Sequence, residues 1–392
     1  MLMSNKTSDK LPLKMVSLFA GIGGFELGFK QAGIETIMAC EIDPIAKHVL
    51  KTNFPNISLV DDICDLNDLP DSTDILCAGF PCQDISTIGV KTGLSGERSS
   101  LVREVFRLLE NKKVEWVIFE NVPNMLFLRK GETIRTITEE LEALGYSWAY
   151  RMIDSLAFVP QRRRRVFVVA SLHNDPRNVL LSGSSMQEHG VITSTEFMEP
   201  CGFYWTEGKS AIGLYQNAIP TLKVGSTIGI PSAPAIAFPD GTVGSPDIRD
   251  AERLQGFPED WTKSAEEVAK PNIRWKLVGN AVTVDVVSWI AKKILAPEQY
   301  DFSQDTELGK KNKWPNSCWG SDGKRFVSKS SLWPVDRVEV SLSDYLKYPC
   351  KPLSYKAAKG FESRLVSGTV RSPQFFINAI HQYVERKGEE NG

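Results

Sequence analysis

Short apolar runs recur through the first 170 residues, and most are followed by a turn and then by a stretch with helical spacing. Residues 15–19 predict a strand that runs into Ala20-Gly21-Ile22-Gly23-Gly24, after which 25–32 has the period of a helix. Residues 35–40 predict a second strand, and Pro44 opens the next helix behind a capping Asp43. Further strands are expected at 57–60, 74–78, 114–119, 146–154 and 166–170. Between them, 99–110 is amphipathic, with Leu101, Val105, Leu108 and Leu109 on one face, and 131–144 forms another helix. Alternation of this kind predicts an α/β fold around an open sheet. Residues 171–217 show no strong period and carry turn-rich patches such as Ser182-Gly183-Ser184-Ser185, and a last clear helix is expected at 284–295.

The residues that interrupt this pattern fall repeatedly at the carboxyl ends of the strands, where open α/β sheets bind their ligands. Gly21, Gly23 and Gly24 allow a tight turn and close approach of a ligand, and the helix behind them begins with free N–H groups. Glu41 stands about 20 residues on, where dinucleotide-binding units place the acid that holds ribose hydroxyls. The spacing alone does not distinguish NAD from another nucleotide-like ligand. The fourth strand leads into Gly79-Phe80-Pro81-Cys82-Gln83, where Pro81 fixes the backbone before the thiol and Gly89, Gly93 and Gly96 let the following segment swing. Cys82 is thus either a small buried hydrophobe or a rigid nucleophile beneath a mobile lid. Glu120, beside Phe119 and Val122, is either a surface turn acid or a group placed to donate a proton to a ring nitrogen. In the run Gln161-Arg162-Arg163-Arg164-Arg165, strand alternation sets Arg163 and Arg165 on one face and Arg162 and Arg164 on the other.

Taken in order, the glycine turn at 19–25, Pro81-Cys82-Gln83, Glu120-Asn121-Val122 and Gln161 to Arg165 resemble the motif series of the DNA cytosine-5 methyltransferases of bacterial and phage restriction–modification systems. Pro220-Thr221-Leu222, the run from Arg249 to Pro258, and Gly279-Asn280-Ala281-Val282 resemble the later motifs, so the resemblance spans 15–170 and 218–291. It implies a Rossmann-like S-adenosylmethionine-dependent domain with a smaller target-recognition region and a C-terminal extension. Phe19 would lie against the adenine, with Ala20, Gly21, Gly23 and Gly24 lining the turn. Glu41 and Ile42 would meet the ribose, Asp62 and Ile63 the adenine edge, and Phe80, Leu101, Asn280 and Val282 would complete the pocket. Cys82 would add to C6 of a cytosine flipped out of the duplex, Glu120 would support charge at N3, and Arg165 with Arg163 would hold the carbonyl side of the base. No metal is required for any step.

Two departures matter. Residues 171–217 leave little room for target recognition, so 297–392 is expected to form a C-terminal domain that reads the target. The layout is then a first catalytic part at 1–170, a recognition and hinge region at 171–260, a return to the catalytic domain at 261–296 that completes the sheet by Leu295, and the tail. Asp250 stands where the family usually has glutamate, a change expected to be tolerated at a domain junction.

Composition alters this picture in one place. The net charge of −2 suits a nucleic-acid binder poorly, yet residues 298–392 carry 15 Lys/Arg against 12 Asp/Glu and interleave them with Trp314, Trp319, Phe326, Trp333, Tyr345, Tyr348 and Tyr355. Seven cysteines without a CxxC pair argue against a disulfide framework or a structural zinc. No apolar run approaches a membrane span and the first fourteen residues lack a signal's apolar centre, so a cytoplasmic protein is expected; the resemblance implies a monomer acting on duplex DNA, with a cognate endonuclease as a functional partner. A tRNA cytosine-5 methyltransferase and a catalytically idle, sequence-specific DNA-binding regulator are the competing readings.

Overall fold

The computed structural model describes residues 12–81, 101–185, 192, 195–207, 209, 211–224, 233–309, 313–337 and 340–390. Its first apolar runs become β1 (Lys14–Leu18), β2 (Glu35–Cys40), β3 (Ser58–Val60), β4 (Ile75–Ala78) and β5 (Trp116–Asn121), parallel and in the spatial order β3-β2-β1-β4-β5. The chain runs outward from β1 to β3 and then returns to β4, so a switch point lies between β1 and β4. Beyond β5 the sheet turns antiparallel through β8 (Arg164–Ser171), which is flanked on its far side by β6 (Ser147–Asp154). The short β7 (Gln161–Arg162) leaves this sheet.

Alternation along the strands builds two apolar layers. Val16, Leu18, Leu76 and Val117 face one side, packed with Val105 and Leu108 of α3 (Leu101–Asn111) and Ile134, Ile137 and Leu141 of α4 (Glu132–Ala143). Met15, Ile75, Cys77 and Ile118 face the other, packed with Phe25 and Phe29 of α1 (Gly24–Gln31) and Val286, Val287 and Ile290 of α8 (Val284–Leu295). Gly28 permits that last contact, since a Cβ there would lie 2.6 Å from Val287 Cγ1. α2 (Pro44–Asn53) starts as expected, with Asp43 Oδ1 accepting from the N–H groups of Ile45 and Ala46. Strand β5 continues through Glu120 to Asn121 rather than ending before the acid.

A second sheet has the order β10-β9-β12-β13-β17, built from β9 (Cys201–Phe203), β10 (Tyr215–Gln216), β12 (Ala235–Ala237), β13 (Val243–Ser245) and β17 (Lys351–Pro352). β11 (Ile219–Pro220) pairs with β7 and so links this lobe to the arginine run. The short α5 (Pro176–Leu180) packs beside α8, while α6 (Ile248–Leu254) and α7 (Ile273–Asn280) pack on each other, with Ala251, Leu254 and Val278 against Ile219 and Ile236 of the lobe and Leu277 against Ala46 and Val49 of α2.

The C-terminal residues do not form the separate domain expected at 297–392. β14 (Thr306–Glu307), β15 (Ser317–Ser321) and β16 (Lys324–Val327) extend the main sheet from β6, giving it ten strands among the described residues. Trp314 and Cys318 are buried in its core. The sheet is therefore not complete by Leu295. After α9 (Leu342–Tyr345), α10 (Tyr355–Ser367) and α11 (Gln374–Glu389) cover the second sheet, with Phe361, Phe376, Ile380 and Tyr383 packed on Phe203, Ala235 and Ala237. The physical reason is that each half of the tail finds an apolar face that the preceding chain leaves open. Asp250 fastens the passage between the halves: its carboxylate accepts from the N–H groups of Lys347 and Tyr348 at 3.0 and 2.9 Å and pairs with Arg253.

Candidate active site

The glycine turn follows β1 directly. Phe19 has φ +58, a left-handed conformation that costs a non-glycine residue about 1–3 kcal/mol, and Gly21 (φ +58) and Gly23 (φ +91) continue the turn. A Cβ on Gly23 would fall 2.8 Å from the Phe54 ring, and one on Gly24 would fall 2.6 Å from Val282 Cγ1, so both glycines are required by packing. A Cβ on Gly21 would meet nothing within 4 Å, so the turn is open there. Ala20 is buried and its N–H donates to Cys40 O, which ties the turn to the end of β2.

Glu41 stands across this opening. Its Oε2 accepts from Gly21 N at 2.7 Å and its Oε1 from Asp43 N at 2.8 Å. Burial pushes its carboxyl up from the ordinary value, against the pull of the two backbone donors. A carboxylate has about four acceptor sites, so two remain for hydroxyl donors of a ligand. Ile42 is 67% exposed beside it. Asp62 caps a single 3₁₀ turn by accepting from Cys64 N, and Ile63 in that turn is buried. Phe19, Ile63, Phe80 and Leu101 all pack on the same apolar layer. Val282 lies against Gly24 as described, and Asn280 ends α7 with its side chain exposed. An open, strained glycine turn opposite a half-buried acid fits a nucleoside-bearing cofactor.

At the next strand end, Arg165 Nε lies 3.0 Å from Glu120 Oε1, both side chains being only about 15% exposed. Glu120 also approaches Gly79, whose Cβ would be 3.7 Å from Oε2. Asn121 Nδ2 donates to Phe80 O at 2.8 Å and so anchors the segment leading to Pro81. That anchoring role was visible only as part of the Glu-Asn-Val motif. Cys82 and the glycines behind it lie outside the described residues. The thiols of the described cysteines are all displaced upward, with Cys40, Cys201 and Cys318 pushed to about 12 chiefly by burial, which leaves them poor nucleophiles.

Arg163 is placed otherwise than strand alternation implies. β7 ends at Arg162 and β8 starts at Arg164, so the regular period is broken at Arg163. Its buried guanidinium donates to Leu222 O at 3.0 Å, Gly279 O at 3.3 Å and Ala281 O at 2.7 Å. It holds the junction rather than facing a base. Gln161 and Gln255 extend this network to Leu254 O, Leu222 N and Ala281 O, a role that sequence reasoning missed because buried glutamines leave no periodic signal. Arg162 and Arg164 do share a face, where both approach Asp154 at 3.7 and 3.1 Å.

Fold and site together define a class: an α/β protein with an open glycine turn beside the switch point of its sheet, where such folds bind nucleotide-like ligands, and an acid–arginine pair at a neighbouring strand end. The family model for C-5 cytosine-specific DNA methylases matches residues 13–200 and 247–296, and the chain belongs to that family. It is 43% identical to the Type II methyltransferase M2.BsuMI of Bacillus subtilis (strain 168), over 96% of this chain and 99% of that protein. It is 31% identical to the Type II methyltransferase M.Bsp6I of Bacillus sp. (strain RFL6), over 72% of this chain and 98% of that protein. Among solved structures the S. pombe Dnmt2 methyltransferase has the same fold, with a TM-score of 0.53 and 18% identity over 72% of this chain and 98% of that one. The protein is a DNA cytosine-5 methyltransferase that uses S-adenosylmethionine. Among the described residues no helix is long and apolar enough to cross a membrane.

Proposed function

We propose that this chain is the cytoplasmic, monomeric modification enzyme of a Type II restriction–modification pair, methylating one cytosine within a specific duplex sequence. The observation that carries the site assignment is the Arg165–Glu120 pair at 3.0 Å, set beside Gly79 and on the same sheet edge as the Gly21–Glu41 contact. When bound there, S-adenosylmethionine supplies an electrophilic methyl group for C5. Phe19, Glu41, Ile42, Asp62, Ile63, Phe80 and Leu101 are the residues that would hold it.

The remaining chemistry belongs to the chain. The Cys82 thiolate adds to C6 of the flipped base, and the electron pair of the C5–C6 double bond moves toward C5 and N3. Glu120 stabilises N3 with a proton, and Arg165 orients Glu120 and faces the ring carbonyl. After C5 has gained the methyl group its proton departs to a base, the C–H electrons restore the C5–C6 double bond as the thiolate leaves, and Glu120 takes back the N3 proton. Arg163 acts at a distance by holding the junction that carries β8.

Radiolabelled methyl transfer to duplex DNA and to tRNA, by the wild type and by Cys82→Ala, tests the reading. DNA is expected to be labelled only by the wild type, and sequencing of methylated bases in expressing cells should return a single context. Labelling of tRNA alone, or substantial turnover by Cys82→Ala, would overturn it.

A further inference from the structure

Past Glu120-Asn121 the chain makes a turn that the chemistry above does not use. Pro123–Leu126 forms one 3₁₀ turn, buries Met125 and Leu126, and leaves Phe127 54% exposed. Arg129 (φ +47), Lys130 (φ +60) and Gly131 (φ +81) then hold three successive residues in the left-handed region, two of them bearing long cationic side chains. Conformations of this kind are costly for a non-glycine residue and persist only where surrounding structure enforces them.

The tail meets this turn at its last residue. A Cβ on Gly131 would lie 2.1 Å from Trp314 Cδ1, so the buried indole is wedged against the turn. Trp314 is itself held near Trp148 and Tyr150 of β6, at ring separations of 6.3 and 6.0 Å. The residue before it, Lys313, is exposed, as are Arg129 and Lys130. The exposed Phe127, Arg129 and Lys130 and the exposed Lys313 thus stand on two segments that meet where Trp314 abuts Gly131, on the turn that follows the carboxyl end of β5 in the chain.

We propose that this rim, formed by Phe127, Arg129, Lys130 and Lys313, is an auxiliary contact for the duplex flanking the target cytosine, the cations meeting phosphates and Phe127 packing against sugar. The inference rests on the methylation reading. A duplex whose flipped base reaches Glu120 must run past this strand end, and rim cations of this type add affinity and salt sensitivity without reading sequence.

The test uses the full chain on two duplexes, one long and one trimmed to the target site. The triple variant Arg129→Gln, Lys130→Gln, Lys313→Gln, and separately Phe127→Ser, should raise KM for the long duplex about tenfold, leave kcat and cofactor affinity unchanged, and leave KM for the trimmed duplex near wild type. The slope of log K against log salt should become shallower by about 0.9 for each phosphate that the variant no longer neutralises. Should the triple variant fail to fold, Lys130→Gln and Lys313→Gln singly carry the same comparison. Wild-type KM and salt slope on the long duplex would overturn the proposal, as would an equal rise in KM on both duplexes. A wild type that labels no duplex at all instead refutes the methylation reading, and the auxiliary contact with it.

Discussion

Arg163→Leu should loosen the junction between the main sheet and the smaller lobe while leaving the chemical groups in place. The guanidinium is 1% exposed and satisfies three carbonyls, Leu222 O, Gly279 O and Ala281 O. Leucine fills much of the space and leaves those acceptors without a donor, at about 1–3 kcal/mol for each one that water cannot reach. One term opposes this. Burial holds the Arg163 pKa well below its ordinary value, so part of the charge's lost solvation is recovered when the group is removed. The net expectation is a loss at the low end, about 3 kcal/mol, a large share of the roughly 5–15 kcal/mol that stabilises a domain. Arg165→Leu is the control. Its pair with Glu120 is partly solvated and contributes only about 1 kcal/mol, yet turnover should fall at least a hundredfold because the acid is no longer oriented. Urea unfolding followed by tryptophan fluorescence, run beside methyl-transfer kinetics, separates the two. A wild-type unfolding midpoint for Arg163→Leu together with lost turnover would refute the junction role and return Arg163 to the pocket.

DNA carrying 5-fluorocytosine at the target should trap the enzyme covalently, because fluorine cannot leave C5 as a proton does, and an SDS-resistant adduct that disappears in Cys82→Ala is the expected gel result. Glu41→Ala should weaken cofactor binding by about 1.5–3 kcal/mol, the worth of a hydrogen bond to a charged group, with little change in DNA affinity; unchanged cofactor calorimetry would leave Glu41 as a brace for Gly21 and Asp43 only. Glu26 is fully buried on α1, beside Ser17, and burial raises its pKa to about 7. The folded state therefore binds its proton more tightly than the unfolded chain does, so this contribution is fully present below about pH 4.5 and is lost as pH rises through 7. Glu26→Gln should remove that decline, worth about 3 kcal/mol, and parallel pH–stability profiles for the two proteins would contradict the assignment. Truncation after Ala296 should abolish folding rather than spare cofactor binding, since it removes Trp314 and Cys318 from the core, and a soluble truncated chain with native cofactor affinity would refute that.

Local rules made much of the parallel half of the sheet legible. Asp43 and Pro44 start α2 where a capping residue and an N1 proline should, and β2 occupies the predicted residues because a run flanked by a turn and a cap has no room to shift. The glycine turn and Glu41 were legible for the same reason, the one following directly on β1 and the other directly on β2. Arg163 was not, because alternation assumes an unbroken strand and the backbone leaves one sheet for another at that residue. Its partners at 222, 279 and 281 are remote in sequence, and no spacing rule reaches them.

The tail was misread for a related reason, and its placement bears on how the smaller lobe is built. The stretches outside the family model are 1–12, 201–246 and everything after 296, and the last two meet in space. The first supplies Cys201, Phe203, Ile212, Ala235, Ala237 and Val243, mostly small side chains on short strands. A stretch of roughly 40–50 residues with such a core is near the limit at which a chain folds without help. Phe361, Leu365, Phe376, Ile380, Tyr383 and Val384 from the tail provide most of the bulk that covers it. Basic and aromatic composition had suggested a module that reads DNA. Much of its aromatic content instead serves packing: Trp314 closes the main core, Phe361 and Phe376 close the lobe, and Arg325 and Arg386 lie over Trp314 and Tyr383. Aromatic residues interleaved with cations therefore cannot separate a nucleic-acid face from a core with cation–π edges. Burial distinguishes them, and it leaves Lys313 exposed beside buried Trp314, which is why the auxiliary contact is sought on that rim and not across the tail as a whole.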